Sequence, residues 1–132
     1  MGLFQSFFGN ENQRDESQIE WKMLTEITQL DDVVNESKQN PVLIFKHSTR
    51  CGISRMTLKR FESEFDLHDK VTPYFLDLLQ HRGVSDAIAE RFNVVHQSPQ
   101  VLLVKDGASV YDASHEAIVA DVVKLKFGVI DQ

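Results

Sequence analysis

The only thiol in the chain is Cys51, and a hydroxyl residue, Ser54, stands three positions after it. Cys-x-x-Cys redox proteins place a second, resolving cysteine at that spacing. A hydroxyl can donate a hydrogen bond to a thiolate, but it cannot attack a mixed disulfide. Any disulfide formed at Cys51 must therefore be resolved by an external thiol. Cys51 also follows the apolar run Val42 to Phe45 and precedes a segment with Leu58, Phe61 and Phe65 at helical spacing. That places it at the carboxyl edge of a strand and at the start of a helix, where ligands bind in open α/β sheets. The free N–H groups and dipole of a helix N-terminus stabilise a thiolate by about 0.3–1 kcal/mol, and by about 2 in partly buried geometry. The competing reading is an inert, buried cysteine that fills space in a core. The basic and polar neighbours of Cys51 argue for chemistry instead.

Charge is distributed unevenly about this thiol. From Ser37 to Phe61 there is no Asp or Glu, whereas Lys38, Lys46, Arg50, Arg55, Lys59 and Arg60 supply six positive charges. The whole chain of 132 residues carries −6, so the rest of it carries −12. A basic window around the thiol favours its thiolate and attracts an anionic thiol partner. The global acidity argues against a general nucleic-acid binder. A single cysteine forbids an internal disulfide and points to a reducing compartment. The longest apolar runs fall far short of a membrane span, and Met1 to Phe8 lacks the features of a secretory signal. The cytoplasm is the expected compartment, although Met1 to Ser6 fits the short N-myristoylation pattern.

The remaining polar residues give weaker signals. His47, His68, His81, His96 and His115 show no metal-ligand spacing, and no local motif supports a Cys/His hydrolase. His47 reads as a strand-end residue near Cys51, and His115 as either a surface residue beside a helix cap or one that lines a site. Ser98-Pro99 precedes a strand, and the base rate for X–Pro bonds favours the trans form. Met56 and the phenylalanines are assigned to the core.

The elements that must position these residues follow from periodicity. Ile19, Trp21 and Met23 alternate as in a half-buried strand. Thr28 and Asp31 resemble a capping box before a helix with Leu30, Val33 and Val34 on one face, which Asn40-Pro41 stops. A strand at Val42 to Phe45 leads to a helix from Ser54 to Asp66, and a strand at Tyr74 to Leu78 leads to a helix capped by Ser85 and ending near Phe92. Gln100 to Lys105 and Ala108 to Asp112 form a hairpin about Asp106-Gly107. Ser114 is expected to cap a last helix with Ile118, Val122 and Leu125 on its apolar face, ended by Gly128. The order predicts an α/β domain over residues 19–128, with a mixed sheet of about five strands flanked by about four helices. Residues 1–18 read as a flexible lead-in and 129–132 as a short tail.

Taken together, three segments resemble the monothiol bacilliredoxins of the thioredoxin superfamily. They are Phe45-Lys46-His47-Ser48-Thr49-Arg50-Cys51-Gly52-Ile53-Ser54, Gln97-Ser98-Pro99-Gln100 and Ala113-Ser114-His115. The resemblance implies a thioredoxin-like fold in which Cys51 takes bacillithiol from protein mixed disulfides. It makes Pro99 a cis-proline facing Cys51, has Ser98 offer its backbone to the bound thiol, and places His115 in a family-specific position. Thr49, Arg50, Gly52 and Ser54 complete the expected substrate-binding set. Arg50, with Lys46 or Arg55, is the expected partner for the small thiol's carboxylates. Gly52 departs from the pattern, because it stands where the family usually has Pro, and this relaxes the helix start.

These readings imply an exchange protein with S-thiolated client proteins and a low-molecular-weight thiol, bacillithiol, as partners. It is expected to hold no permanent cofactor or metal, to bind neither nucleic acid nor membrane, and to be a monomer. One alternative is an iron–sulfur carrier in which Cys51 thiolates from two chains and two external thiols hold a cluster. The Cys-Gly-x-Ser string is similar to that of monothiol glutaredoxins, but Lys105-Asp106-Gly107 replaces their Gly-Gly stretch after the proline strand. A noncatalytic thioredoxin-fold binding module is the other alternative.

Overall fold

A computed structural model describes residues 18–130. The expected lead-in, apart from Gln18, and the last two residues of the expected tail lie outside the described residues, as does the myristoylation pattern. The elements are β1 (Lys22–Met23), α1 (Gln29–Glu36), β2 (Val42–His47), α2 (Gly52–Glu64), β3 (Thr72–Asp77), α3 (Arg82–Phe92), β4 (Gln100–Lys105), β5 (Ala108–Ser114) and α4 (Ala120–Ile130), with a 3-10 turn over His115–Ala117 before α4. The five strands lie in the order β1-β3-β2-β4-β5. β1, β3 and β2 run parallel, whereas β4 is antiparallel to β2 and β5 to β4.

β2 is central, and all six of its residues are buried. Alternate side chains of a strand point to opposite faces. Leu43 and Phe45 therefore join Val101 and Leu103 under α2 and α4, packed on Phe61, Phe65, Val123 and Phe127. Val42 and Ile44 join Leu102 and Val104 on the other face, under Leu30 and Val33 of α1 and Val84, Ile88 and Phe92 of α3. Each fully buried side chain of this size contributes about 1.5–3 kcal/mol of transfer free energy. By the same parity Lys46 falls on the α1/α3 face and His47 on the α2/α4 face.

The predicted order of elements and the mixed sheet are present, with several corrections at element ends. Thr28 precedes α1 but makes no side-chain cap. The first-turn N–H groups of Gln29, Leu30 and Asp31 donate instead to the Glu26, Ile27 and Thr28 carbonyls, and the Gln29 side chain braces the preceding turn by accepting the Thr25 and Glu26 N–H groups and donating to the Met23 carbonyl. α3 begins at Arg82, so Ser85 is an interior residue and not its cap. Ser114 closes β5 rather than capping α4. Gly128 lies inside α4, and the buried face of that helix is Ala120, Val123 and Phe127, not Val122 and Leu125. Leu125 is 71% exposed. Both Asp106 (φ 53°) and Gly107 (φ 81°) are left-handed, as a two-residue hairpin of this hand requires.

α2 starts at Gly52 and not at Ser54, with Cys51 as its N-cap in an extended conformation (φ −98°, ψ 118°). A Cβ at Gly52 would meet only the Arg55 guanidinium at 3.8 Å, which is ordinary contact. Gly52 is thus the first helical residue, where proline's missing N–H and fixed φ are tolerated, and Cys51 already has the backbone that proline demands of its predecessor. Gly52→Pro is expected to fold normally and to gain about 0.4–1 kcal/mol by restricting the unfolded chain. A raised urea midpoint with unchanged slope checks this, and a lowered midpoint contradicts it.

Candidate active site around Cys51

The sheet brings the three sequence segments to one edge. β2 ends at His47, and the chain turns through Ser48 to Cys51, whose N–H donates to the Ser48 carbonyl at 3.1 Å. Lys46 of β2 is paired with Gln100 of β4, and Gln100 in turn with Ser114 of β5. Pro99, just before β4, and His115, just after β5, therefore lie at the same sheet edge as the Cys51 turn. The His115 N–H donates to the Pro99 carbonyl at 3.1 Å. The Ser98–Pro99 peptide is cis, as the family resemblance implies and the base rate alone does not.

Ser54 does not face outward. It is wholly buried, and its Oγ accepts the Ser48 N–H at 3.2 Å and lies 2.8 Å from His47 Nδ1. Burial pushes the His47 pKa below its usual value, with Asp77 opposing and Arg55 reinforcing the shift. His47 thus favours the neutral imidazole, and its Nδ1 shares a hydrogen bond with the Ser54 hydroxyl. The expectation of Ser54 as a substrate contact is corrected accordingly. Its hydroxyl instead ties the end of β2 and the Ser48 turn to the first turn of α2, holding the Cys51 turn from below.

Cys51 is half-buried and unpaired. Thr49, Arg50 and Gly52 are exposed around it, and Arg55 Nη1 donates to the Thr49 carbonyl at 3.0 Å. Pro99 is buried, whereas His115 is exposed and holds a left-handed backbone, φ 56°. The Ser98 Oγ is buried with no hydrogen-bond partner among the described residues. Ile53, Met56, Arg60 and His115 line a cavity of about 150 Å³, and Gly52, Arg55, Met56 and Lys59 border a wider recess beside it. Met56, assigned to the core by its chemistry, is 67% exposed, as is Ile53. Nothing in the sequence singled out this apolar pair, because on an otherwise polar helix its spacing does not show which face is covered.

The basic window divides on folding. Arg50, Arg55, Lys59 and Arg60 are exposed near Cys51, and Lys38 follows α1 next to the β4–β5 hairpin, at the far end of the sheet. Lys46 is 0% exposed, so it is no partner for a ligand's carboxylates. Its ammonium lies 3.0 Å from Gln100 Oε1 and 2.9 Å from His96 Nδ1. Among the described residues there is no group of three or more His, Cys, Asp or Glu suited to a metal ion, and no helix is long and apolar enough to cross a membrane.

Burial lowers the Lys46 pKa to about 8 from 10.5, with Asp86 opposing. Between those values the unfolded chain holds a proton that the folded chain has lost, so this group adds stability as pH rises through the window. Below about pH 8 both states are protonated and the slope vanishes. Relative to Lys46→Met, the unfolding free energy of the native protein is therefore expected to climb from pH 8 to 10.5 in stepped-pH urea titrations. Parallel curves across that range would contradict the assignment.

The comparisons with known proteins agree with this geometry. A solved protein provisionally designated an oxidoreductase with a thioredoxin fold is 30% identical, with a TM-score of 0.68 over 79% of this chain and 90% of its own. Thioredoxin of Malassezia sympodialis, at 16% identity and a TM-score of 0.65, matches over 86% of this chain and 93% of its own. Thioredoxin of Fasciola hepatica, at 18% identity and a TM-score of 0.63, matches over 82% and 97%. The two thioredoxins show the fold, which is thioredoxin-like. The family model for monothiol bacilliredoxin BrxC matches residues 22–123, which span all three segments of the site. With a thiol redox function supported by both family and fold, the chain belongs to the monothiol bacilliredoxin family.

Proposed function

We propose that this protein removes bacillithiol from S-thiolated client proteins through Cys51 alone. The observation that carries the reading is a lone, half-buried thiol at the N-cap of α2, with a buried hydroxyl residue where a resolving cysteine would stand. The Cys51 thiolate attacks the bacillithiol sulfur of the mixed disulfide. A new S–S bond forms, the bond to the client sulfur breaks, and the client leaves as a thiolate that takes a proton from water. A second bacillithiol thiolate then attacks the sulfur held on Cys51, releasing bacillithiol disulfide and the free Cys51 thiolate. One disulfide is present before and after each step, so the electrons supplied to the client come from the second small thiol.

The surroundings supply the rest. The helix N-terminus and the exposed Arg50, Arg55, Lys59 and Arg60 draw in a small thiol that carries carboxylates. Ser98 offers backbone groups to the bound thiol beside Pro99, and Ile53 and Met56 give a client an apolar contact next to the reacting sulfur. The protein acts as a monomer in the cytoplasm and needs no resident cofactor. Incubating a bacillithiolated client with bacillithiol and either native protein or Cys51→Ala tests the proposal. The native protein is expected to strip the adduct, and Cys51→Ala to leave it at the uncatalysed rate. Equal removal by both would overturn the reading.

A further inference from the structure

A polar cluster under the site takes no part in the chemistry above. Lys46 and Gln100 face each other across the β2–β4 pairing, both wholly buried. The Lys46 ammonium donates to Gln100 Oε1 at 3.0 Å and lies 2.9 Å from His96 Nδ1. Gln100 Nε2 donates to the Val95 carbonyl at 2.9 Å, and Ser85 Oγ of α3 lies 3.1 Å from His96 Nδ1. Burial holds the His96 pKa below its usual value, helped by Lys46 and Arg82 and opposed by Asp86, so His96 presents a neutral acceptor to the ammonium.

All these contacts converge on one connection, the residues between α3 and β4 that carry Ser98 and Pro99. That connection has no regular secondary structure before Gln100, so these side chains hold it. The other end of the cluster is the residue before His47, whose Ser54 contact fixes the Cys51 turn. Among the described residues no carboxylate lies within ion-pair distance of Lys46. Desolvation of the buried ammonium outweighs its attraction to Asp86, so this cation serves geometry more than stability.

We propose that Lys46, His96 and Gln100 form a buried bracket that sets the Ser98–Pro99 connection in register with the Cys51 turn. Lys46 is thus a positioning residue for substrate engagement. The proposal rests on thiol exchange at Cys51 and not on which small thiol is exchanged. Without the bracket the connection drifts from the sulfur that it must flank, and substrate is held less well while the thiol itself is unchanged.

The test compares native protein with Lys46→Met, His96→Ala and the double variant, using a peptide–bacillithiol mixed disulfide as probe. Each single variant is expected to raise KM about tenfold with kcat within about twofold, and the double variant to be no worse than either single one, as members of one network behave. Alkylation of Cys51 by iodoacetamide should keep its native rate, and amide hydrogen exchange should quicken over residues 94–98 and not in α2. The exchange measurement reads the bracket even without turnover, which separates its failure from failure of the proposed reaction. His96→Ala alone decides the matter if Lys46→Met does not fold. Native exchange over residues 94–98, additive losses in the double variant, or a fall in kcat at constant KM would each overturn the proposal.

Discussion

The antiparallel pairing of β2 with β4 is the constraint on which the site depends. It is a pairing of two buried strands at the centre of the sheet, so a slip of one residue would turn every side chain to the wrong layer. Phe45 would leave the α2/α4 core, and Ile44 would leave the α1/α3 core. The same register sets Lys46 against Gln100 and so fixes where Pro99 ends relative to the turn that leaves β2. The hydrophobic core thus positions a proline and a thiol that are far apart in sequence. β5 extends the arrangement by one strand and brings His115 to the Pro99 carbonyl.

Polar groups do the finer positioning beneath that edge. On one face of β2, His47 and Ser54 hold the Cys51 turn to α2; on the other, Lys46 and His96 hold the proline connection to β2. Consecutive residues of one strand therefore serve the two halves of the site, which is possible only because neighbouring side chains point to opposite faces. Both histidines have pKa values lowered by burial, so each network starts from a neutral imidazole at pH 7. The exposed cations are left to act on what approaches from solvent.

Much of this was legible in the sequence. The apolar run at Val42, the Asp106-Gly107 turn and the strand after Pro99 each have a local physical cause, and so the element order could be read. The element ends were less legible, since the first-turn N–H groups of α1 are met by backbone carbonyls of the preceding turn and not by the Thr28 side chain. The phase of α4 was misread because Val119 to Val129 is rich in apolar residues on every side, and only packing on the sheet selects Val123 and Phe127. Met56 was misplaced because a methionine at the surface is indistinguishable by type from one in the core. Lys46 reads in the sequence as a partner for a ligand's carboxylates, since nothing local reveals that Gln100 and His96, about fifty positions away, would enclose it. The spacing of Ser54 marks the position of a resolving cysteine, but it could not show which way the hydroxyl points.

A lone thiol with no resolving partner makes catalysis depend on what the solution supplies. In a Cys-x-x-Cys protein the second thiol clears the mixed disulfide within the same molecule. Here Ser54 is buried and committed to His47, so under the proposed function an adduct on Cys51 would wait for an external thiol. The most direct test mixes the protein with excess bacillithiolated client in the absence of any free small thiol, and follows released client thiol together with the intact mass of the protein. The account predicts a burst of one client thiol per protein molecule, then arrest, with a single bacillithiol adduct on Cys51. Continued turnover without an added thiol, or a burst that leaves Cys51 unmodified, would contradict it.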